Sequence, residues 1–439
     1  MIHTPFNVFH LNIPNFVVHI IDRLRRAGYK SYLVGGALRD ACLNRPVTDW
    51  DVATPASLEE ILGVFSNLKT FTLKHGTVTV VKQGKHYEVT SFRGKSKSLK
   101  EDLSHRDFTI DAMAYDPLNG SLWDPFRGRN DIEEKLLRTV GKAEDRFLED
   151  PIRLLRAVRI SLELNFDIEE GTAQSMRSQA FLLKSAASER IRDEIVKILQ
   201  SPRPSKGFHV LLRAGLLPQF LPELAEGYRK RQNAYHDHTI FKHILLTVDL
   251  IPPKPHLRLA ALFHDIAKPR VRKKALGQWQ FHAHEEASAR LCKEIMTRLR
   301  FSRAMIEQVS TLVRHHMIDY RPDWRDGAVR RLIQRAGAEN VADLLALRRA
   351  DILAHGLHKS NLTLFEELED RIQHLGSDAP PANVRDLAVS GQTVMQILRI
   401  PPGPEVGKIL ESLLEVVTDQ PGLNTQEALI HILKGMKKE

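Results

Sequence analysis

The stretch YLVGGALRD, Tyr32 to Asp40, followed by TDWDVAT, Thr48 to Thr54, decides how the N-terminal part of this 439-residue chain is read. An apolar run ends in Gly35-Gly36 and passes into the helix-forming ALRDACL, so a tight turn brings backbone N–H groups and a helix N-terminus to one spot, which suits a phosphate. The stretch lacks the Gly-Lys-Ser/Thr of a P-loop; its weight comes from Arg39, one helical turn on, and from the Asp-Trp-Asp ten residues beyond. Asp49 and Asp51 stand at i and i+2, which on a strand turns both carboxylates to one face. Two like charges so close require a cation, and hard oxygen ligands with open positions suit Mg²⁺. Two such ions about 4 Å apart would activate an attacking hydroxyl and stabilise a leaving pyrophosphate. Alone, an Asp-x-Asp reads as an exposed turn before a helix cap; behind Gly-Gly-x-x-Arg it reads as a metal site.

Outward from this core, short β-type runs (SYLVG, DWDVAT, GTVTVVK, HYEVTSF, IDAMAYD) mix with one or two helices from Tyr32 to about Val140, which indicates a compact domain of the α+β class. After Leu148 helical periodicity takes over, with Gly and Pro at helix ends, and the remainder reads as all-α. Glu88 is the only acidic residue in HYEVTSFR and is the candidate third carboxylate; an ordinary solvent-face strand residue is the competing reading. In SHRDFTIDAMAYD, Arg106 and Asp107 stand at the mouth of a strand-like run, where a guanidinium can reach triphosphate oxygens. In EDPIRLLRAVR, Asp150 sits where a helix N-cap belongs, Pro151 fits the first helical position, and Arg153, Arg156 and Arg159 recur every third residue as one basic stripe.

That stripe suggests how a base is chosen without a nucleic-acid template. Cytosine and adenine each place an exocyclic amino donor beside a ring-nitrogen acceptor, whereas uracil and guanine place a carbonyl beside an N–H. Asp150 would accept from the amino group while Arg153 donates to the ring nitrogen, leaving Arg156 and Arg159 for phosphate or structural pairing. The plainer alternative is a capping Asp with arginines on a solvated face.

Composition sets the outer bounds. At roughly 150 residues per domain the length implies about three domains, and 42% hydrophobic with 27% charged residues is ordinary for a globular chain. No stretch approaches the roughly 18 apolar residues of a membrane helix, and the N-terminus has no secretory pattern. Cys42 and Cys292 are the only cysteines, which excludes a disulfide framework and fits a reducing cytoplasm. With 64 Lys and Arg against 54 Asp and Glu, the chain is formally +10, which favours a polyanionic partner.

In order, these residues resemble the family of class II tRNA nucleotidyltransferases and bacterial poly(A) polymerases, over about Tyr32 to Leu224. The family's Gly-Gly-x-x-Arg-Asp and Asp-x-Asp are matched at Gly35, Gly36, Arg39, Asp40, Asp49 and Asp51. The resemblance implies that Asp49 and Asp51 hold Mg²⁺ and that Gly36 and Arg39 contact the nucleotide. The family's Arg-Arg-Asp-Phe-Thr stands here as His105, Arg106, Asp107, Phe108 and Thr109, with Asp111 where Asn is usual. Its Glu-Asp-x-x-Arg template is matched at Glu149, Asp150 and Arg153. A flexible segment of the family looks present in DPFRGRNDIEEKLLRTVG. KHGTVTVVKQGKHYEVTSFR looks like CCA-adding enzymes, and nothing resembles the Gly-Arg-Arg-Phe-x-Leu of the poly(A) polymerases.

The resemblance implies a catalytic head (1–148), a helical neck with nucleobase- and RNA-binding elements (149–230), a helical body (231–325) and a tRNA-binding tail (326–439). It implies addition of CCA to tRNA from CTP and ATP, with CC-addition, A-addition and poly(A) synthesis as alternatives of the same chemistry. From Tyr235, YHDHTIFKHILL, RLAALFHDIAKP, FHAHEEASAR and LVRHHM resemble the HD superfamily, with His243, His264, Asp265, His284 and either His315 or His316 around a second divalent metal. A protein acting mainly as an HD-type phosphohydrolase is the alternative of a different class.

Overall fold

The computed structural model describes residues 12–47, 49–73, 76–232, 237–355, 360–375 and 383–436. The chain folds as two compact units, Met1–Ile198 with Lys206–Phe220, and Leu199–Ser205 with Leu221–Glu439. The first is built on a seven-stranded sheet of order β3-β4-β5-β2-β1-β6-β7. Its strands are β1 (Tyr32–Val34), β2 (Trp50–Thr54), β3 (Lys69–Leu73), β4 (Thr77–Lys82), β5 (Lys85–Ser91), β6 (Ala114–Asp116) and β7 (Ser121–Trp123). Neighbouring strands run antiparallel except β2 and β5, which are parallel.

Alternation along these strands separates two apolar faces. Leu33, Val52, Val78, Val80 and Val89 join one buried cluster with Val17, Ile20, Ile21 and Leu24 of α1 (Asn15–Arg26), Leu38 of α2 (Gly35–Cys42) and Ile61 of α3 (Leu58–Val64). The four α1 residues fall at i, i+3, i+4 and i+7, one stripe of a helix. Tyr32, Val34, Ala53 and Ala114 face the other way, against Phe92 and Leu103 of α4 (Leu99–Ser104). Asp51, between Val52 and Trp50, therefore points to the side of the sheet opposite α1.

IDAMAYD is strand only over β6; Thr109–Asp111 is a 3₁₀ turn, after an isolated bridge from Phe108 to Thr139. The segment matching the family's flexible one holds α5 (Gly128–Glu133) and a two-residue strand, Leu136–Leu137, just after β7. The Thr109 hydroxyl donates to buried Asp131 (2.5 Å), and a Cβ at Gly128 would run into the Thr109 carbonyl. The unit continues through α6 (Ala143–Glu149) and α7 (Arg153–Leu164) into further helices.

The second unit is helical apart from one hairpin, Lys273–Ala275 with Gln278–Gln280. Its last three helices, Gly391–Leu398, Pro404–Asp419 and Gln426–Met436, share a small core around Val394, Leu413, Val417, Leu429 and Leu433. The sequence around HLGSDAPPANVRD, polar and rich in proline, reads as a linker into a final small helical module from Leu387; its residues 376–382, and residues 233–236 at the start of the His-rich region, lie outside the described residues. Among the described residues no helix is long and apolar enough to cross a membrane.

Candidate active site

At the β1–α2 turn Gly35 has φ +76°, a left-handed value. A Cβ there would lie 2.9 Å from Arg106 Nη1 and 3.1 Å from Asp51 Oδ2, so glycine lets the backbone pass between the two. Helix α2 starts at this residue with no side chain capping its N-terminus, which leaves its first amides directed at the space beside Asp51. Across the sheet, Val34 of β1 and Glu88 of β5 flank Asp51 in register. Because Asp51 and Glu88 are partners in register, they share a face of the sheet, and Asp49 directly precedes β2. Burial first, then the charges of Glu88 and Asp49, push the Asp51 carboxyl up to about 6. Such a group is relieved by a divalent cation, for which Asp51 and its strand neighbour Glu88 offer hard oxygen donors.

The cationic side chains beside the turn are themselves held by carboxylates. Arg39 curls back over Gly36 and holds Asp111 (2.7 Å) and Asp40 (3.0 Å). Burial works against the Arg39 charge, but Asp111 and Asp40 keep it firmly protonated. Asp111 is raised by its own burial, Arg39 opposing. Arg106 leans on the buried Asp102 (3.3 Å), which also accepts from the Arg93 amide (3.0 Å).

The base-reading residues are arranged differently from the sequence expectation. Helix α7 begins at Arg153 with Ile152 as its N-cap; Asp150 instead ends α6 and only accepts from the Ile152 amide (3.3 Å). Its carboxylate is taken by a bidentate pair with Arg190 (2.9 and 2.7 Å), 40 residues away. Arg153 binds Asp107 (2.6 Å), Glu149 (2.8 Å) and the carbonyls of Arg146 and His105. Arg156 pairs with Asp107, and Asp107 stays below the usual carboxylate range, burial opposing and Arg156 and Arg153 prevailing. Arg159 turns to Glu194 (2.7 Å) and Glu163 (2.9 Å), a structural pairing. Beside Arg153 opens a cleft of about 530 Å³, lined by Arg93, Gly94, Lys95, Glu101 and His105. Asp51, Glu88 and Arg106 thus meet around the Gly35 turn, while Arg39 is held by Asp40 and Asp111 and Arg153 by Asp107 and Glu149. Sequence reasoning missed Asp102 and Arg190; Asp102 had one signal, standing four residues before Arg106 on a helix.

The second unit gathers a buried polar cluster at helix ends. His243 lies within helix Ile240–Leu250, His264 and Asp265 follow Pro255–Phe263, and His284 opens His284–Arg298. Of the two candidates at the next helix end, His316 joins them, following Arg303–His315. Asp351, from helix Val341–Ala354 and beyond the 231–325 span expected of this domain, completes the set. His243 Nε2 is 3.0 Å from Asp351 Oδ1 and 3.2 Å from His264 Nε2, which is 3.3 Å from Asp265 Oδ2. His284 Nε2 approaches Asp265 Oδ1 at 3.3 Å.

The Nδ1 atoms of His264, His284 and His316 each face a backbone carbonyl three residues earlier, at 2.7, 2.8 and 2.7 Å. For His284 and His316, an Nδ1–H donating there leaves Nε2 as a bare lone pair. The Nε2 atoms of His284 and His316 are buried without a hydrogen-bond partner. Imidazole and carboxylate donors aimed at one place fit a first-row divalent ion. Burial works against His264 charging, but Asp265 and Asp351 push it up to about 10; burial and the charge of His264 bring His316 down to about 3.

Residues 31–138 match the family described as the poly A polymerase head domain, 165–227 a probable RNA and SrmB-binding site of polymerase A, and 242–356 the HD domain. The CCA-adding enzyme of Streptococcus thermophilus is 31% identical over 435 residues, covering 95% of this chain and 96% of that protein. That of Lactobacillus johnsonii is 32% identical over 431 residues, covering 94% and 95%. Among solved structures, the Bacillus stearothermophilus CCA-adding enzyme in complex with CTP superposes with a TM-score of 0.73 at 28% identity, covering 97% of this chain and 98% of that one. A Thermotoga maritima CCA-adding enzyme complexed with tRNA shares the fold, at 21% identity and a TM-score of 0.59, covering 96% and 95%. With relatives of this identity matched along nearly their whole length, the chain belongs to the family of CCA-adding enzymes.

Proposed function

We propose that this chain is a template-independent nucleotidyltransferase that builds or repairs the 3′ CCA end of tRNA from CTP and ATP. The observation that carries the reading is the register of Asp51 against Glu88 beside the uncapped N-terminus of α2. Relatives named for CCA addition, one of them solved with CTP, support it. Held by Asp49, Asp51 and Glu88, Mg²⁺ would supply the positive charge that favours in-line attack of the tRNA 3′ hydroxyl on the α-phosphorus and departure of pyrophosphate.

The chain's own residues do the rest. Amides at the start of α2 take phosphate oxygens, with Gly35 keeping the approach clear. Arg106 stands beside that turn, and Arg39, fixed by Asp111, holds the turn's far side. Asp150 and Arg153 face a cytosine or adenine edge by exchanging part of their present pairing with Arg190 and with Glu149. Asp51→Ala removes incorporation of CTP into a tRNA lacking CCA while tRNA affinity is kept; retained incorporation refutes the carboxylate assignment. Arg153→Ala blurs the choice of CTP and ATP over UTP and GTP, and unchanged selectivity removes Arg153 from the template.

A second reading rests on the His/Asp cluster: a metal-dependent phosphohydrolase site alongside the transferase, held by His243, His264, Asp265 and Asp351 with His284 and His316. Release of phosphate from a phosphomonoester, lost in His264→Ala, tests it. The domain boundaries we propose are at 148 and 230, with the third moved from 325 to beyond Asp351, since the HD-domain match runs over 242–356. The working compartment is the cytoplasm.

A further inference from the structure

The transferase reading leaves unused a basic, aromatic surface on the second unit, made by Tyr228–Arg231 and the hairpin Lys273–Gln280. Tyr228 is 44% exposed, with the Arg229 guanidinium 5.2 Å from its ring centre. On the hairpin the Arg272 guanidinium stacks on Trp279 at 3.4 Å, with the Lys274 ammonium 5.9 Å away. Arg272 also donates to the Arg231 carbonyl (3.4 Å), which sets the two segments side by side. From Arg270 to Gln280 there is no acidic residue. Arg270 is neutralised by Glu226 (2.7 Å), while Lys273 and Lys274 are exposed. The two-residue tip is costly in isolation: Leu276 is fully exposed and has φ +49°, a conformation usual for Asn or Gly at this turn position.

Both roots of this surface are tied to the buried cluster. Lys268 Nζ, at the foot of the hairpin's first strand, bonds Asp265 (2.6 Å) and Gln232 (3.1 Å), the residue after Arg231. Phe281, at the foot of the second strand, accepts through its carbonyl from His284 Nδ1 (2.8 Å). Two rings, each with a guanidinium over one face and with exposed lysines on the same hairpin, suit a single strand of nucleic acid, since bases stack on aromatic and guanidinium faces and phosphates pair with Lys and Arg.

We propose that Tyr228, Arg229, Arg272, Lys273, Lys274 and Trp279 form a platform for single-stranded RNA running past the His/Asp cluster. It rests on the second reading only for what lies at the end of that path. A strand bound there stacks a base on Tyr228 and another on Trp279, with its backbone along Lys273 and Lys274. An anionic lipid surface shares the charge requirement but not the need for paired stacking faces.

The test uses the full chain and an unstructured, 3′-fluorescein-labelled RNA dodecamer, with affinity read by anisotropy across a salt series. Lys273→Gln/Lys274→Gln is expected to weaken binding about tenfold near 0.1 M salt and to flatten the slope of log affinity against log salt by about 1.4. Tyr228→Ala is expected to weaken binding about tenfold with the slope unchanged. A dodecamer carrying 4-thiouridine is expected to cross-link to peptides containing Tyr228 or Trp279. Equal thermal melts establish that the variants fold. Unchanged affinity and slope in both variants, cross-links confined to the first unit, or a charge effect seen only with phosphatidylglycerol vesicles would overturn the proposal. His264→Ala keeps the RNA affinity, so failure of the cluster reading shows separately, as absence of any metal-induced rise in melting temperature.

Discussion

Asp51 is held in a state that the folded chain itself disfavours, and replacing it with Asn exposes that cost. Its carboxyl is raised from 3.8 to about 6, by burial first and by Glu88 and Asp49 next. A folded value above the unfolded one means that the native state binds the proton more tightly. The associated stability is therefore present below about pH 4 and is lost as pH rises through 6. At pH 7.5, without divalent metal, the ionised group costs about 3 kcal/mol. Asp51→Asn removes the charge and keeps the shape, so in EDTA at pH 7.5 the variant should melt higher than the wild type. For a unit of this size the gain is about 6–12 °C. At pH 4.5 the advantage should shrink to about 1 kcal/mol, because most of the wild-type carboxyl is then protonated. Mg²⁺ should raise the wild-type melting temperature and leave the variant's unchanged, while nucleotide incorporation falls at least a thousandfold. Calorimetry at fixed scan rate reads the melting shifts, and extension of a labelled tRNA reads the incorporation. A variant no more stable than the wild type at pH 7.5 in EDTA would refute the argument that Asp51, Glu88 and Asp49 crowd one another.

Gly35→Ala forces a Cβ between Arg106 and Asp51 at a left-handed φ; a destabilisation of about 1–3 kcal/mol and loss of incorporation are expected, checked by denaturant titration and a primer-extension assay. Asp111→Ala leaves the Arg39 guanidinium with only Asp40 as carboxylate partner, and a loss of about 3 kcal/mol is expected in the same titration. In the His/Asp cluster, His264 carries a proton up to about pH 10 without metal, so the stability it contributes is full below about pH 6.5 and is lost as pH rises through 10. Mn²⁺ or Co²⁺ binding near pH 7 should therefore release a proton, seen by calorimetric titration in buffers of different ionisation enthalpy; heats independent of buffer would contradict this.

The part of the site built from local pattern was legible. Gly-Gly, Asp-x-Asp and the lone Glu88 all fall where strand alternation and a strand-to-helix turn place them, because those positions follow from backbone periods of two and 3.6. What escaped was set by distant partners. The parallel pairing of β2 with β5, which makes Asp51 and Glu88 neighbours, depends on a crossover through α3, β3 and β4. Asp150 carried every sign of an N-cap; it does accept from the Ile152 amide, but its carboxylate is also held by Arg190, 40 residues on, which no local pattern announces. Sequence reading placed Gly36 at the nucleotide, whereas the tightest backbone approach is at Gly35, since only the fold shows what surrounds it. In the second unit the His315-His316 doublet left two choices; the helix end settles on His316, whose Nδ1 meets the Val313 carbonyl. Asp351 had no motif to announce it, being one acid in an otherwise helix-typical RRADILAH.

The most direct measurement incubates labelled tRNAs ending before CCA, after C and after CC with Mg²⁺ and CTP, ATP or both, and resolves the products at single-nucleotide length. The account predicts that the shortest tRNA gains two C with CTP alone and one further A when ATP is added, with Asp51→Ala inert throughout. A stop after CC, growth of only the CC-ended tRNA by one A, or a long A ladder would contradict full CCA synthesis, and no extension of any of the three would contradict the nucleotidyl-transfer site itself.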